Sequence, residues 1–443
     1  MLAIHNLIPD SKHQVNACFH DALVLLPDAE MKSGVSVTVS QGRITRISSS
    51  CSENDLGMQH IDASGWLILP GMINAHCHSA MGFLRNKGHL RHELGAGVST
   101  IEAEMFPAER MLDPELVEAL AYPFIIAGLR GGTTCFVDHY YYASSVARAM
   151  HRIGVRGFVG ETIADLGGPF ATDDRWRHTM TQIDSWDVPG VRPMVAPHAM
   201  DTVSRPLLEA MVGFARSRDL GIHVHMSQTA GERARVYERE GASPVQVASD
   251  IGLLGERTIA AHLVSASPQD LRLFSSSGAA LALCPGSQIL YERLAPLEEM
   301  VACAARLVIG TDCAACGDSP NLLQERRLAG LLLRDRGVVD ELTVVLSTDT
   351  NAARALGMPG QLGVICEGAC ADLVFVKPRA SHRPFNNPGA WIVYTLEESD
   401  VRNVMIDGYW VLWEKQALRV SEEEIEAHYE DALMRLASRR GSI

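Results

Sequence analysis

Apolar and polar positions along this chain fall into two rhythms. Val35 to Val39 alternates with small polar residues, Gln41-Gly42 supplies a turn, and Arg43 to Ile47 alternates again, so the amino-terminal part reads as a small hairpin-rich unit. The same texture returns near the other end, where Ala371 to Lys377 is rich in strand formers and Val404 to Leu412 carries Asp407-Gly408 as a turn. Two such separated segments can complete one sheet domain. Between them short apolar runs alternate with helical patterns. Asp113-Pro114-Glu115 places a cap, a proline at the first helical position and an acid in the first turn, with Leu116 and Leu120 at helical spacing, and Ser267-Pro268-Gln269-Asp270 repeats the device. Ser204 opens a further helix; Gly221 ends it and Ile222-His223-Val224-His225 begins a strand. Thr258 to Ala261, Ala279 to Leu283 and Arg306 to Ile309 follow as strands. Strand then helix, repeated without long polar gaps, predicts a parallel α/β sheet, and on this pattern alone a closed eightfold barrel and an open doubly wound sheet both remain.

Composition narrows the function. With 443 residues, 47% hydrophobic and 21% charged, the chain can bury a large core. Lys and Arg number 39 against 53 for Asp and Glu, a formal net charge of −14, which disfavours nucleic acid and anionic membrane as partners. The start lacks a basic segment followed by an apolar one, and no unbroken run of eighteen apolar residues occurs, so a soluble, cytoplasmic protein is expected. The 10 cysteines are scattered, mostly in apolar segments, the pattern of reduced buried thiols. No G-x-G-x-x-G, P-loop or internal repeat is present.

Candidate chemistry gathers at strand ends. In Leu69-Pro70-Gly71-Met72-Ile73-Asn74-Ala75-His76-Cys77-His78, residues two apart on a strand face one side, so His76 and His78 can offer two imidazoles to one ion while Cys77 turns away. His225, His262 and Asp312 end three later strands. A barrel brings the carboxyl ends of its strands to one mouth, where these residues become neighbours. His223, on the same face as His225 but deeper, reads as barrel filling or as support for a ligand. Cys313 and Cys316 lack the second pair that a zinc ribbon needs and are expected to line the loop after Asp312.

These segments resemble the amidohydrolase superfamily, in the branch of cytosine, guanine, methylthioadenosine and S-adenosylhomocysteine deaminases and triazine hydrolases. The resemblance runs through Pro70 to His78, Gly132-Thr133-Thr134-Cys135-Phe136-Val137-Asp138, Ala196-Pro197-His198-Ala199, His225-Met226-Ser227-Gln228-Thr229, Ala261-His262, Cys284-Pro285-Gly286-Ser287, Gly310-Thr311-Asp312 and Glu367 to Leu373, covering almost the whole chain. It implies a (β/α)8 TIM-like barrel over residues 69–360. Residues 1–68 and 361–420 would form a composite β-sandwich from both termini, and residues 421–443 a carboxyl-terminal helix. It further implies one divalent metal, zinc with iron as the alternative, held by His76, His78, His225 and Asp312, with His262 helping to deprotonate water or polarise substrate. Partners would be a small heterocyclic substrate and a second copy of the chain in a homodimer or higher homo-oligomer.

The chain departs from the family where amine expulsion is assisted. The family's fifth-strand pattern is His-x-x-Glu-Thr, and here the acid is Gln228, an amide that can hydrogen-bond to a ring nitrogen but cannot deliver a proton. Three readings follow. The substrate needs no proton there, another acid takes over, or the chemistry is lost and the protein only binds. Glu161 is the candidate substitute; it stands where nucleoside deaminases of this branch carry an arginine, which argues against a ligand with an anionic end. Glu109 matches the acid that contacts the ribose diol in those enzymes, and His198 matches a substrate-contacting histidine. Gln288 replaces the usual asparagine, either moving an amide in the site or lying in a loop without consequence. The expected activity is an aminohydrolase that releases ammonia from a nitrogen heterocycle. The alternatives in the same site are triazine dechlorination, amine displacement and cyclic amide opening.

Overall fold

The structure, a computed structural model, describes residues 2–27, 30–50, 57–86, 101–171, 173–290, 293–317 and 319–440. Alternating apolar residues near the amino terminus form β1 (Leu2–Ala3), β2 (Ala17–Leu25), β3 (Met31–Ser40), β4 (Arg43–Ser48), β5 (Gln59–Asp62) and β6 (Leu67–Pro70). The chain then enters a run of parallel strands: β7 (Met72–His78), β8 (Thr133–Tyr140), β9 (Arg156–Ile163), β10 (Val191–Pro197), β11 (Ile222–Met226), β12 (Thr258–His262), β13 (Ala280–Leu283), β14 (Arg306–Ile309) and β15 (Asp312–Cys313). It ends with β16 (Leu373–Val376), β17 (Val401–Ile406), β18 (Tyr409–Trp413), β19 (Gln416–Ala417) and the helix Glu422–Arg440. β16 pairs antiparallel with both β6 and β17, so the two ends of the chain share one ten-stranded mixed sheet. Phe19 from one end packs on Phe375 and Trp410 from the other, with ring centroids 5.0 and 6.1 Å apart.

The nine parallel segments curl into a closed barrel, which settles the choice left open by the periodicity. Closure falls on a single break. β14 bonds β13, and Gly310 N still donates to Leu283 O (2.8 Å); one residue later Thr311 N donates to His76 O (3.0 Å), and β15 pairs with β7 through Asp312 opposite Cys77. A Cβ on Gly310 would lie 2.5 Å from His76 O, so only glycine lets the eighth strand cross from one neighbour to the other here.

Ile73, Cys135, Phe158, Met194, Ile259, Ala280 and Val308 come from seven different strands and share one buried apolar cluster, which Ala352 and Ala353 of the helix Thr348–Ala355 join. The β7–β8 register is irregular between Asn74 and Cys77. Ala75 therefore belongs to the apolar filling while the next residue, His76, already packs against the imidazole of His223. A slip of this kind re-aims side chains beside a site without ending the strand.

Helix starts follow their caps. Asp113 accepts from Leu116 N (2.9 Å), and Ser267 and Asp270 form a reciprocal capping box. Ser204 does precede the helix Arg205–Ser217, but its hydroxyl donates to Asp165 Oδ2 (2.6 Å) and makes no cap bond. The expectation of reduced thiols holds at eight cysteines and fails at Cys18, which is disulfide-bonded. Cys51 lies outside the described residues. A disulfide depends on two Cα atoms approaching closely in the fold, which spacing along the chain does not reveal. Among the described residues no helix is long and apolar enough to cross a membrane.

Candidate active site and metal centre

At the carboxyl ends of the barrel strands lies a cavity of about 60 Å³, open to solvent. His78, His225, His262 and Asp312 line it, and His76 lies fully buried beside them. One nitrogen each from His76, His78 and His225 lie within 4.8 Å of one another, as do ligand atoms of His76, His262 and Asp312. Asp312 Oδ1 is 3.4 Å from His78 Nε2 and 3.8 Å from His76 Nε2. Four strands separated widely in sequence thus meet at one point.

Hydrogen bonds fix which nitrogen faces that point. His225 Nδ1 donates to His198 O (2.7 Å) and His78 Nδ1 donates to His139 O, so in the neutral rings both Nε2 atoms carry lone pairs. Those two Nε2 atoms are 3.2 Å apart. Two ligand atoms at about 2.0–2.1 Å from a tetrahedral ion would stand roughly 3.3 Å apart, which is the arrangement found. His76 Nδ1 lies 2.8 Å from His223 Nε2, while its own Nε2 is buried with no hydrogen-bond partner. Burial drives His76 and His225 well below the ordinary imidazole range and brings His262 to about 4, so these rings are neutral near pH 7. Converging lone pairs, an orphaned buried nitrogen and a carboxylate fit a divalent cation.

Two of these residues sit in strained backbone. Asp312 has φ 57° and His262 φ 82°, the left-handed region that residues with a Cβ adopt at a cost of order 1–3 kcal/mol. Asp312 is held there by Cys313 N on Oδ1 (2.8 Å) and Ser287 Oγ on Oδ2 (2.6 Å). Ser287 belongs to a motif visible in the sequence, but its role is set by the short helix Pro285–Leu290, which carries its hydroxyl to Asp312.

The substrate-side candidates divide. Glu109, His198 and Gln228 line the cavity; Glu161 does not. Phe158 belongs to the apolar barrel cluster and Thr162 lines the cavity, so the alternation along β9 turns Glu161 the other way. Its carboxylate accepts from Tyr142 N (3.1 Å) and Ala143 N (2.7 Å) at the start of the helix Ala143–Ile153 and pairs with Arg175. The proposed substitute acid is therefore engaged in holding a helix start. Burial pushes Glu109 up to about 8, its hydrogen bond with Tyr140 opposing the shift, so this carboxyl keeps its proton at neutral pH. His198 is brought to about 4, chiefly by burial. Gln288 is buried outside the cavity lining, with its Oε1 near Ala295 N (3.4 Å), so neither placement foreseen for it holds.

Three contributors escaped the sequence reading. His139 lines the cavity; its Nε2 donates to Pro197 O (3.2 Å), leaving Nδ1 to accept from Thr162 Oγ1 (2.8 Å). The alternation of β8, with Cys135 and Val137 inside, was the available signal. Tyr140, next along, also lines it. Glu232 is buried behind Gln228 and accepts from Ser227 N (2.8 Å) and Gln228 N (2.7 Å), so it fixes the turn that presents the amide.

Barrel and site together define a protein whose side chains fit a divalent ion at the mouth of a solvent-open pocket. The amidohydrolase family model matches residues 67–411, and the chain belongs to that family. It is 32% identical over 381 residues to the 5-methylthioadenosine/S-adenosylhomocysteine deaminase of Thermococcus kodakarensis, covering 84% of this chain and 88% of the relative. An adenosine deaminase from Xanthomonas campestris with bound zinc superposes with a TM-score of 0.86 at 25% identity, covering 96% of this chain and 99% of that one. Atrazine chlorohydrolase from Arthrobacter aurescens, complexed with zinc, shares the fold with a TM-score of 0.84 at 21% identity, covering 94% and 100%.

Proposed function

We propose that this chain is a zinc-dependent aminohydrolase that releases ammonia from a compact, neutral or amine-bearing nitrogen heterocycle. The observation that carries the reading is the convergence of His76, His78, His225, His262 and Asp312 on one point at the cavity floor. When bound, a divalent ion there supplies Lewis acidity, which makes water nucleophilic near neutral pH. His76, His78 and His225 would hold it, with Asp312 as the carboxylate member. His262 Nε2 or Asp312 Oδ1 takes the proton from the attacking water, since the imidazole is neutral at pH 7. His198 and Phe106 flank the pocket and orient the ring. Gln228 hydrogen-bonds to the heterocycle without giving up a proton. Glu109 is the protonated carboxyl facing the cavity, so it is the group able to supply a proton to the departing amine.

Charge supports the substrate class. Among the described residues no lysine or arginine lines the cavity, and Arg175 is committed to Glu161, so none of these residues favours an anionic tail. Robust turnover of S-adenosylhomocysteine would contradict this. The decisive assay is a screen of aminopurines, pterins, pyrimidines and triazines for ammonia, with metal content measured on the same sample. The expected outcome is ammonia from at least one heterocycle, lost on chelation and restored by Zn2+. Gln228 favours one second reading, in which the same site cleaves a bond needing no proton there. Release of chloride or a substituted amine from a triazine, or ring opening of a cyclic amide, without ammonia would establish it; binding without product would mark a non-catalytic homologue.

A further inference from the structure

The turn after Asp312 is not used by the chemistry above. Cys313 and Cys316 are buried, line the same cavity and are outside any disulfide. Cys316 N donates to Cys313 O (3.1 Å), a tight turn that folds the second sulfur back toward the first. One ligand atom each from Asp312, Cys313 and Cys316 lie within 4.8 Å of one another, the same span as the histidine sets. Ligand atoms around a tetrahedral ion with bonds of about 2.0–2.3 Å fall roughly 3.3–3.8 Å apart, which small side-chain rotations reach from that span. The donor set is softer than the histidine centre, with two sulfurs in place of nitrogens, and it therefore prefers thiophilic cations.

We propose that Asp312, Cys313 and Cys316 form a second, thiophilic divalent-cation site that shares Asp312 with the histidine centre, and that an ion there blocks the cavity. Binding transfers the two thiol protons to solvent and involves no change of oxidation state. The inference rests on Asp312 belonging to the histidine centre but not on which heterocycle is the substrate.

Cadmium is the probe. The zinc-loaded, reduced full-length protein is titrated with Cd2+ while the ultraviolet thiolate-to-cadmium charge-transfer band is followed and both metals are quantified. The expected result is a band that saturates near about one added equivalent, with zinc retained and ammonia release from the heterocycle found active in the screen inhibited in parallel. The Cys313→Ser/Cys316→Ser double variant should lose the band and keep its zinc. A Cys303→Ser/Cys366→Ser control, removing two half-buried thiols elsewhere, should keep the band. No band in the parent protein, a band of equal size in the Cys313/Cys316 double variant, or one-for-one displacement of zinc without a band overturns the proposal. Should the double variant fold poorly, Cys316→Ser alone gives the same reading, because it removes one of only two sulfurs. Zinc content reports the histidine centre separately: its absence counts against the proposed function, while zinc without the band counts against this site alone.

Discussion

Gln228 is held in place by a neighbour that does no chemistry. Glu232 clamps the peptide N–H groups of Ser227 and Gln228, so the backbone that carries the amide is fixed. This argues for adaptation over decay, and Gln228→Glu should lower the native reaction by about one to two powers of ten. A rise in ammonia release instead would mean that an acid had simply been lost. Glu109 gives a pH test. Its carboxyl has a pKa of about 8 in the folded chain against 4.5 ordinarily, so between these values the folded state holds a proton that the unfolded state has released. Stability then falls as pH rises through this window, by at most about 1.4 kcal/mol per pH unit, and levels off above it. Glu109→Gln should remove that slope, and denaturant melts of both proteins on either side of the window would reveal it. His223 braces His76 through a 2.8 Å contact, so His223→Phe should weaken metal affinity about 10–100-fold, read by competition with a chelator. At this scale the convergence of His76, His78 and His225 was legible because strand periodicity and sequence kinship agree. Glu161 was misplaced because its role depends on which face of β9 it takes, and His139 was missed although its alternation with Cys135 and Val137 along β8 was there to be read.

Strands and turns carry the site more than loops do. The crossing at Gly310 joins barrel closure to the ligand strand, because a methyl group there would lie 2.5 Å from the carbonyl and 2.8 Å from the amide nitrogen of His76. Gly310→Ala should therefore lower the melting temperature and the bound metal together. Melting alone, with metal retained, would show that the two are separable. Element types were readable from alternation, caps and Pro/Gly punctuation, since these are local. The irregularity in β7 and the switch of partners at residues 310–311 were not readable, since each is settled by packing against a strand distant in sequence.

On the scale of the whole molecule, an ion held at the proposed centre would tie β7, β11, β12 and β15 into one object. Because an ion that binds only the folded state stabilises it by mass action, chelation should lower the melting temperature by several degrees and added Zn2+ should restore it. Metal loss with unchanged melting would show that the barrel does not depend on the ion. The composite sheet was expected from the matching texture at the two ends, and pairing of β6 with β16 is how the chain realises it. That pairing bears on biosynthesis. His76 and His78 leave the ribosome long before Asp312 and the strands that seal the far side of the molecule, so during translation an early imidazole pair waits without its carboxylate. All of these groups are therefore together only once the chain has been made through β15, so an ion held by them would be captured after that point and not by the early imidazole pair.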